Sequence, residues 1–172
     1  MRITVALDTH DHVDHVSGRS RLAGLTGARS YRAAGPGERR PDAIPSGQEI
    51  AVGALRLKAI ATPGHRPEHL AFAVSDPSRG SEPWLLLTGN SLLVGDLARP
   101  DLALEAEAGA TALHSSLRQL PALGDHVEIW PAQVGGSLCG GAGLSGKTSS
   151  TVGFERRHNP LLLMGRRSSS AG

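Results

Sequence analysis

The sequence has one cysteine, Cys139, and among 172 residues only two tryptophans, two phenylalanines and one tyrosine. A single thiol rules out an intramolecular disulfide and is compatible with a reducing compartment, so the expected location is the cytoplasm. The scarcity of aromatics leaves Leu, Val, Ile and Ala to build the core. Nowhere do roughly eighteen uncharged apolar residues run together, and no apolar stretch follows a basic one at the N-terminus, so neither a membrane span nor a signal peptide is expected. The formal net charge is only +2. Basic residues are scattered apart from short clusters such as Arg39-Arg40, Arg156-Arg157 and Arg166-Arg167, which gives no electrostatic footprint for nucleic acid. The length suits one domain, expected over residues 1–163 with a disordered tail at 164–172.

Short apolar runs ending in polar loops make up most of the chain. Ile3 to Leu7 reads as a buried strand and Val16 to Leu25 as a helix ended by Gly24 and Gly27. Residues 33–47, with three prolines and three glycines, read as loop. Glu49 to Val52 and Leu55 to Ile60 form a hairpin about Gly53-Ala54, and Leu70 to Val74 and Trp84 to Leu87 are further strands. Leu102 to Leu120 carries Leu113, Leu117 and Leu120 at helical spacing and is closed by Pro121. Val127 to Trp130 is a last strand, followed by a glycine-rich loop from Gly135 to Gly146. Ser149 or Ser150 then caps a helix that runs through His158. Strands feeding polar loops, with helices between them, describe a layered α/β architecture with its site on one sheet edge.

The polar loop after the first strand holds three imidazoles and the Asp14 carboxylate within His10 to His15. His10 and His12, at alternate positions of an extended segment, point the same way and can face one ion; Asp14 and His15 can face a second. Other strand ends carry Thr62-Pro63-Gly64-His65, Thr88-Gly89-Asn90 and Pro131-Ala132-Gln133.

In order and approximate spacing these four segments resemble the metallo-β-lactamase superfamily. Thr62 to His69, Gly95 to Asp101 and Ser150 to Pro160 resemble its persulfide dioxygenase branch, including rhodanese-associated forms. The resemblance spans nearly the whole chain. It implies an αββα sandwich lacking its first N-terminal strands, because the family has further strands before the segment that starts here at Ile3. An edge so exposed would be covered by a second copy of the chain or by a partner.

The resemblance also implies a ligand set. His10, His12 and His65 would take a first metal position, with Asp14 and His15 contributing to a second. In the single-iron dioxygenases, the positions matching His10, His65 and Asn90 hold iron. The family has Asp where Asn90 stands and His where Gln133 stands, and both amides are weaker, uncharged ligands, so a bridged pair of zinc ions is disfavoured. One Fe²⁺ is the expected cofactor, with Zn²⁺ as the alternative. The implied activity is oxidation of glutathione persulfide or a related thiol persulfide. The alternatives are a zinc-dependent thioester hydrolase of the glyoxalase II type and a catalytically weakened protein kept for metal binding or interaction.

Further residues carry a functional and a structural expectation side by side. Arg99 meets an anionic substrate or belongs to a structural Arg-Asp pair. Arg156, with Arg157, lies where relatives bind a glutathionyl group, or on a solvated helix face. His69 supports a metal ligand by a hydrogen bond or is a structural histidine. Asp96 is read as a turn carboxylate, Cys139 as an inert loop thiol, and His114 and His126 as structural.

Overall fold

In a computed structural model of the chain, residues 2–12, 16–35 and 37–167 are described, 165–167 by their backbone alone. Strand β1 (Val5–Leu7) is followed by helix α1 (Arg19–Thr26), then by strands β2 (Arg29–Ala33) and β3 (Ala43–Ile44). These strands form a parallel sheet in the order β1-β2-β3. Both β3 and the end of β2 lie in the stretch expected to be loop. Neither has a long apolar run, and their pairing with each other, Arg32 with Ala43 and Ala33 with Ile44, supplies the order that local sequence does not. Helix α1 begins at Arg19 rather than Val16. The Ser17 hydroxyl is drawn out of any helix by donating to Asp8 at 2.8 Å, and it accepts the Arg19 N–H at 3.1 Å. Gly24 lies inside the helix, which ends at Gly27 with φ 70°, where an Lα backbone suits glycine.

The second sheet is built from β4 (Glu49–Val52), β5 (Leu55–Ala61), β6 (Leu70–Ser75) and β7 (Leu85–Gly89). A small hairpin follows, β8 (Leu92–Leu93) with β9 (Asp96–Leu97), then α2 (Ala106–Leu117) and a 3-10 turn at Leu120–Leu123. The chain continues with β10 (Glu128–Pro131), β11 (Ser150–Thr151), α3 (Val152–His158) and α4 (Pro160–Arg167). The six strands lie in the order β11-β10-β7-β6-β5-β4. Only β7 and β10 run parallel, and their register shifts between Trp130 and Pro131, where β7 carries one residue more than β10.

Several boundaries differ from the sequence expectation. Helix α2 starts at Ala106, not Leu102, and Pro121 sits inside the 3-10 turn instead of closing the helix. Thr151, rather than Ser149 or Ser150, caps α3 by accepting the Phe154 N–H at 3.1 Å. Residues 164–167, expected to open a tail, continue α4, while 168–172 lie outside the described residues. Among the described residues, no helix is long and apolar enough to cross a membrane.

The middle strands of the six-stranded sheet, β6 and β7, are apolar on both faces, as strands covered on two sides must be, whereas β4, β5 and β10 alternate buried and exposed residues. Leu70, Phe72 and Val74 of β6 face the three-stranded sheet with Ala33, Ile44, Ile50 and Leu57. Ala71 and Ala73 face the other way, against Leu113 and Leu117 of α2, Leu120 and Val152. Each Leu or Ile buried in these layers contributes about 1.5–3 kcal/mol by leaving water. The layers are thus sheet, sheet and helices, and they fix the strand ends from which the site is built.

Candidate metal centre

Four loops meet where these strands end. Thr9 and His10 follow β1, the 62–69 turn joins β5 to β6, Asn90 follows β7, and Gln133 follows β10. Two backbone bonds clamp them together: Leu70 N–H to the Thr9 carbonyl at 2.8 Å, across the two sheets, and Ala132 N–H to the Gly89 carbonyl at 2.9 Å. The rings of His10 and His65 lie edge to face with centroids 5.1 Å apart, and His10 stacks on His69 at 4.7 Å. His12, half-buried, is tilted against His10 at 4.5 Å.

The turn that carries His65 is held by α2. The Ser116 hydroxyl donates to the Pro63 carbonyl at 2.7 Å. Gly64 has φ 143°, and a Cβ there would lie 2.4 Å from Leu113 Cβ. Gly89, with φ 54°, is equally enclosed: its Cβ would meet both His69 Nε2 and Thr9 Oγ1 at 2.7 Å. Glycine at these two positions lets backbone pass where a side chain would push against α2, at Gly64, or displace the His69 ring, at Gly89.

Hydrogen bonds assign the lone pairs. His65 Nδ1 lies 3.1 Å from the Arg99 carbonyl, which can only accept, so the proton sits on Nδ1 and Nε2 presents a lone pair. That Nε2 is 3.3 Å from Asn90 Nδ2. His69 Nε2 accepts the Asn90 backbone N–H at 3.0 Å, leaving Nδ1 to donate to the Thr62 hydroxyl at 2.8 Å. Both nitrogens of His69 are therefore engaged, and the residue fixes the Asn90 backbone rather than facing an ion. His10 Nε2 and Asn90 Oδ1 are buried without a hydrogen-bond partner.

Burial, reinforced by His69, His12, His65 and Arg66, pulls the pKa of His10 from 6.5 down to about 2. Burial first, then His65 and His12, takes His69 down to about 3. Both rings are neutral donors or acceptors throughout the physiological range. In the unfolded chain each titrates near 6.5, so below that pH the unfolded state binds more protons than the fold. Their contribution is complete above pH 6.5 and is lost as pH falls toward 3, at about 1.4 kcal/mol per pH unit for each histidine. Urea unfolding of the metal-free protein should show a clearly lower midpoint at pH 5 than at pH 7.5; equal midpoints would contradict neutral burial of these rings.

The other candidate residues fall in different surroundings. Asp14 and His15 lie outside the described residues. Gln133 is half-exposed beside the Gly89–Asn90 turn. Asp96 accepts the Leu97 and Gly143 N–H groups at 2.8 and 3.1 Å and so serves as a turn carboxylate. Cys139 is buried, and its carbonyl accepts the Arg99 N–H at 2.8 Å. The Arg99 guanidinium, read as a candidate substrate contact, instead makes two bonds to Asp101, at 3.1 and 2.7 Å; what Arg99 gives the site is its carbonyl. Arg156, the other candidate substrate contact, is likewise bound to Asp125, at 3.1 and 2.6 Å, as is Arg157 at 2.6 Å. Such half-exposed pairs contribute little. Arg99→Ala should therefore leave metal affinity within about twofold and stability little changed; a large loss of metal in a titration would show that the side chain matters.

Two supporting residues inside the Thr62 to His69 motif escaped the sequence reading. Thr62 orients His69, and Glu68, buried, accepts the Asp11 N–H at 3.0 Å and the Arg66 guanidinium at 3.1 Å. The signal was present, since both are polar residues within a motif already singled out.

Among the described residues, no three His, Cys, Asp or Glu side chains are grouped so as to hold a metal ion. The donors gathered are two imidazoles and an amide. His10 Nε2 and Asn90 Oδ1 have no partner, while Asn90 Nδ2 lies 3.3 Å from His65 Nε2. Buried acceptors without a partner are costly unless a donor or a cation meets them. The residues present therefore fit one ion.

The chain has the metallo-β-lactamase fold. Its homologues include persulfide dioxygenases and hydroxyacylglutathione hydrolases. A metallo-β-lactamase of Staphylococcus aureus superposes with a TM-score of 0.86 at 30% identity, over 98% of this chain and 53% of that one. The ETHE1 protein of Myxococcus xanthus gives 0.71 at 27% identity, over 93% and 63%. The mitochondrial persulfide dioxygenase ETHE1 of Bos taurus is 30% identical over 165 residues, 95% of this chain and 58% of its own length. A hydroxyacylglutathione hydrolase of Cereibacter sphaeroides is 37% identical over 118 residues, 67% of this chain and 42% of its own length. The chain thus spans about half the length of the curated relatives it matches. No family model matches it. Homology at this level supports a metalloenzyme and implies an iron or zinc cofactor.

Proposed function

We propose that the chain binds one divalent cation through His10 Nε2, His65 Nε2 and Asn90 Oδ1, and that with iron it acts as a dioxygenase on glutathione persulfide or a related persulfide. The observation that carries this reading is the pair of buried, unpartnered acceptors, His10 Nε2 and Asn90 Oδ1, beside a His65 ring whose tautomer is fixed by the Arg99 carbonyl. The relatives named persulfide dioxygenase match nearly the whole of this chain. Bound iron would supply the redox chemistry that adds dioxygen to the persulfide sulfur.

The chain's own residues do the positioning. The Arg99 carbonyl sets the His65 tautomer, His69 and Thr62 hold the Asn90 backbone, and Thr9 bonds His10 Nδ1 at 2.8 Å. Such outer partners keep donor atoms aimed at one point. No side-chain nucleophile is needed.

A second reading, hydrolysis of a glutathione thioester with zinc, is favoured by the 37% identity to the Cereibacter sphaeroides hydrolase. Anaerobic purification, metal analysis and oxygen uptake with glutathione persulfide separate the two. About one iron per chain with oxygen uptake is the expected result. Two zinc ions per chain with thioester hydrolysis would replace the first reading by the second, and failure to bind any metal would point to a protein kept for interaction alone.

A further inference from the structure

Strand β1 uses one of its edges and leaves the other open. Against β2, the Arg29 N–H meets the Thr4 carbonyl at 3.0 Å and the Asp8 N–H meets the Tyr31 carbonyl at 3.1 Å, with Ala6 opposite Ser30 between them. Backbone groups alternate in direction along a strand, so the N–H and C=O of Val5 and Leu7 point away from β2. Among the described residues no strand pairs with that side. Open edges are ordinarily blunted by shortness, charge, proline or a bulge. The other edges of the two larger sheets are so treated, since β3 and β11 have two residues each and β4 carries Glu49. From Ile3 to Leu7 the chain has neither charge nor proline. Apolar side chains accompany this edge. Ile3 is 43% exposed, and α1, which packs on both β1 and β2, buries none of its residues and leaves Leu25 78% exposed.

We infer that this edge is a dimer interface, at which β1 pairs with β1 of a second copy of the chain, antiparallel about a two-fold axis through Val5. A closed dimer presents the same edge on both copies, which makes the ladder antiparallel. Centring on Val5 sets Val5 against Val5 and Ile3 against Leu7 of the second copy. These are the residues whose backbone groups face outward, so every such pair is of the hydrogen-bonded kind, for roughly six bonds in all. Centring on Ala6 would instead bring Ile3 against Thr9, whose carbonyl already accepts the Leu70 N–H. The Val5 register also places Arg2 opposite Asp8, which holds Ser17 and Arg19 within its own copy, and opposite charges across a ladder are favourable. The side chains agree with the backbone. Val5 and Leu7 pack into the layer between the sheets, so Ile3 of one copy continues that layer beside Leu7 of the other. Two joined edge strands lie about 4.8 Å apart. Helices seated over β1 and β2 in each copy then come within about 10 Å, the spacing at which helices pack. Leu22 and Leu25 thereby gain an apolar neighbour.

Sedimentation equilibrium of the full chain, with hydrogen exchange on the same sample, tests this. A single dimer is expected. The Val5 and Leu7 amides should exchange at least about tenfold more slowly in the dimer than after dilution to monomer, while the Ala6 and Asp8 amides, bonded to β2, stay protected in both. Val5→Pro removes the central outward N–H without touching a bond to β2 and is expected to raise the dissociation constant by about 100-fold or more. Leu25→Lys is expected to raise it about tenfold, whereas Trp130→Lys, at an exposed apolar position on β10, leaves it within about twofold. Circular dichroism shows whether each variant is folded, and if Val5→Pro is not, exchange in the unaltered chain decides. A chain that stays monomeric at every concentration overturns the inference. So does a dimer that survives Val5→Pro while Val5 and Leu7 exchange freely, because its contact lies elsewhere. Polymers that grow without limit overturn it too, since they require a head-to-tail contact in place of a closed one.

Discussion

Gly64→Ala is expected to lower the unfolding free energy by about 3 kcal/mol or more, one of the largest effects a single methyl group can have in this chain. The added Cβ would lie 2.4, 2.6 and 2.7 Å from Leu113 Cβ, Cα and N. Two of these atoms belong to the backbone of α2, which cannot yield without moving the helix. The φ of 143° adds a conformational penalty of its own. Gly53→Ala provides the comparison: its φ of 61° is also unfavourable for alanine, but nothing lies within 4 Å, so about 1 kcal/mol is expected. Urea unfolding of the two variants measures the difference. Equal losses would mean that the contact with α2 is not a constraint, and that the His65 turn can relax away from the helix.

His65→Ala and His10→Ala are each expected to weaken metal binding by more than about 100-fold, beyond the effect typical of outer partners. In the first case the Arg99 carbonyl also loses its donor, at a cost of about 1–3 kcal/mol in stability. His69→Ala separates the two effects. It removes the bonds to Asn90 and Thr62 but no ligand, so a metal loss of about 10- to 100-fold is expected there. Metal titrations run beside urea unfolding resolve ligand loss from misfolding. A His65→Ala protein that holds metal as tightly as the unaltered chain would remove the centre from this position.

The strands with dense apolar runs could be read directly from the sequence. β4 to β7 and β10 lie within a residue or two of their expected limits, because β6 and β7, buried on both faces, are written as continuous apolar runs, and β4, β5 and β10 as apolar residues alternating with exposed ones. β2, β3, β8 and β9 could not be read in this way, since Arg29-Ser30-Tyr31-Arg32 is extended only because β1 offers it a partner, and β8 and β9 are two residues each. The cluster of histidines was visible as a cluster. What spacing could not show was the division of labour within it. His65 and His69 stand four apart and look alike, yet one is aimed by a carbonyl and the other closed off by a backbone N–H. For Arg99 and Arg156 the spacing could not show which carboxylates lie nearest them, Asp101 and Asp125.

The register shift between β7 and β10 reaches further than its size suggests. Trp130 pairs with Leu87, but Pro131 pairs with Gly89, so Thr88 has no opposite number. Side chains alternate along a strand, and one unmatched residue exchanges the faces of everything beyond it. In an unbroken ladder Gly89 would fall where Thr88 now stands and Asn90 would take the orientation of its neighbour, turned away from His65. Which side chain stands beside the two imidazoles is therefore decided by counting: deleting one residue from the end of β7 would present a different one to the same two rings.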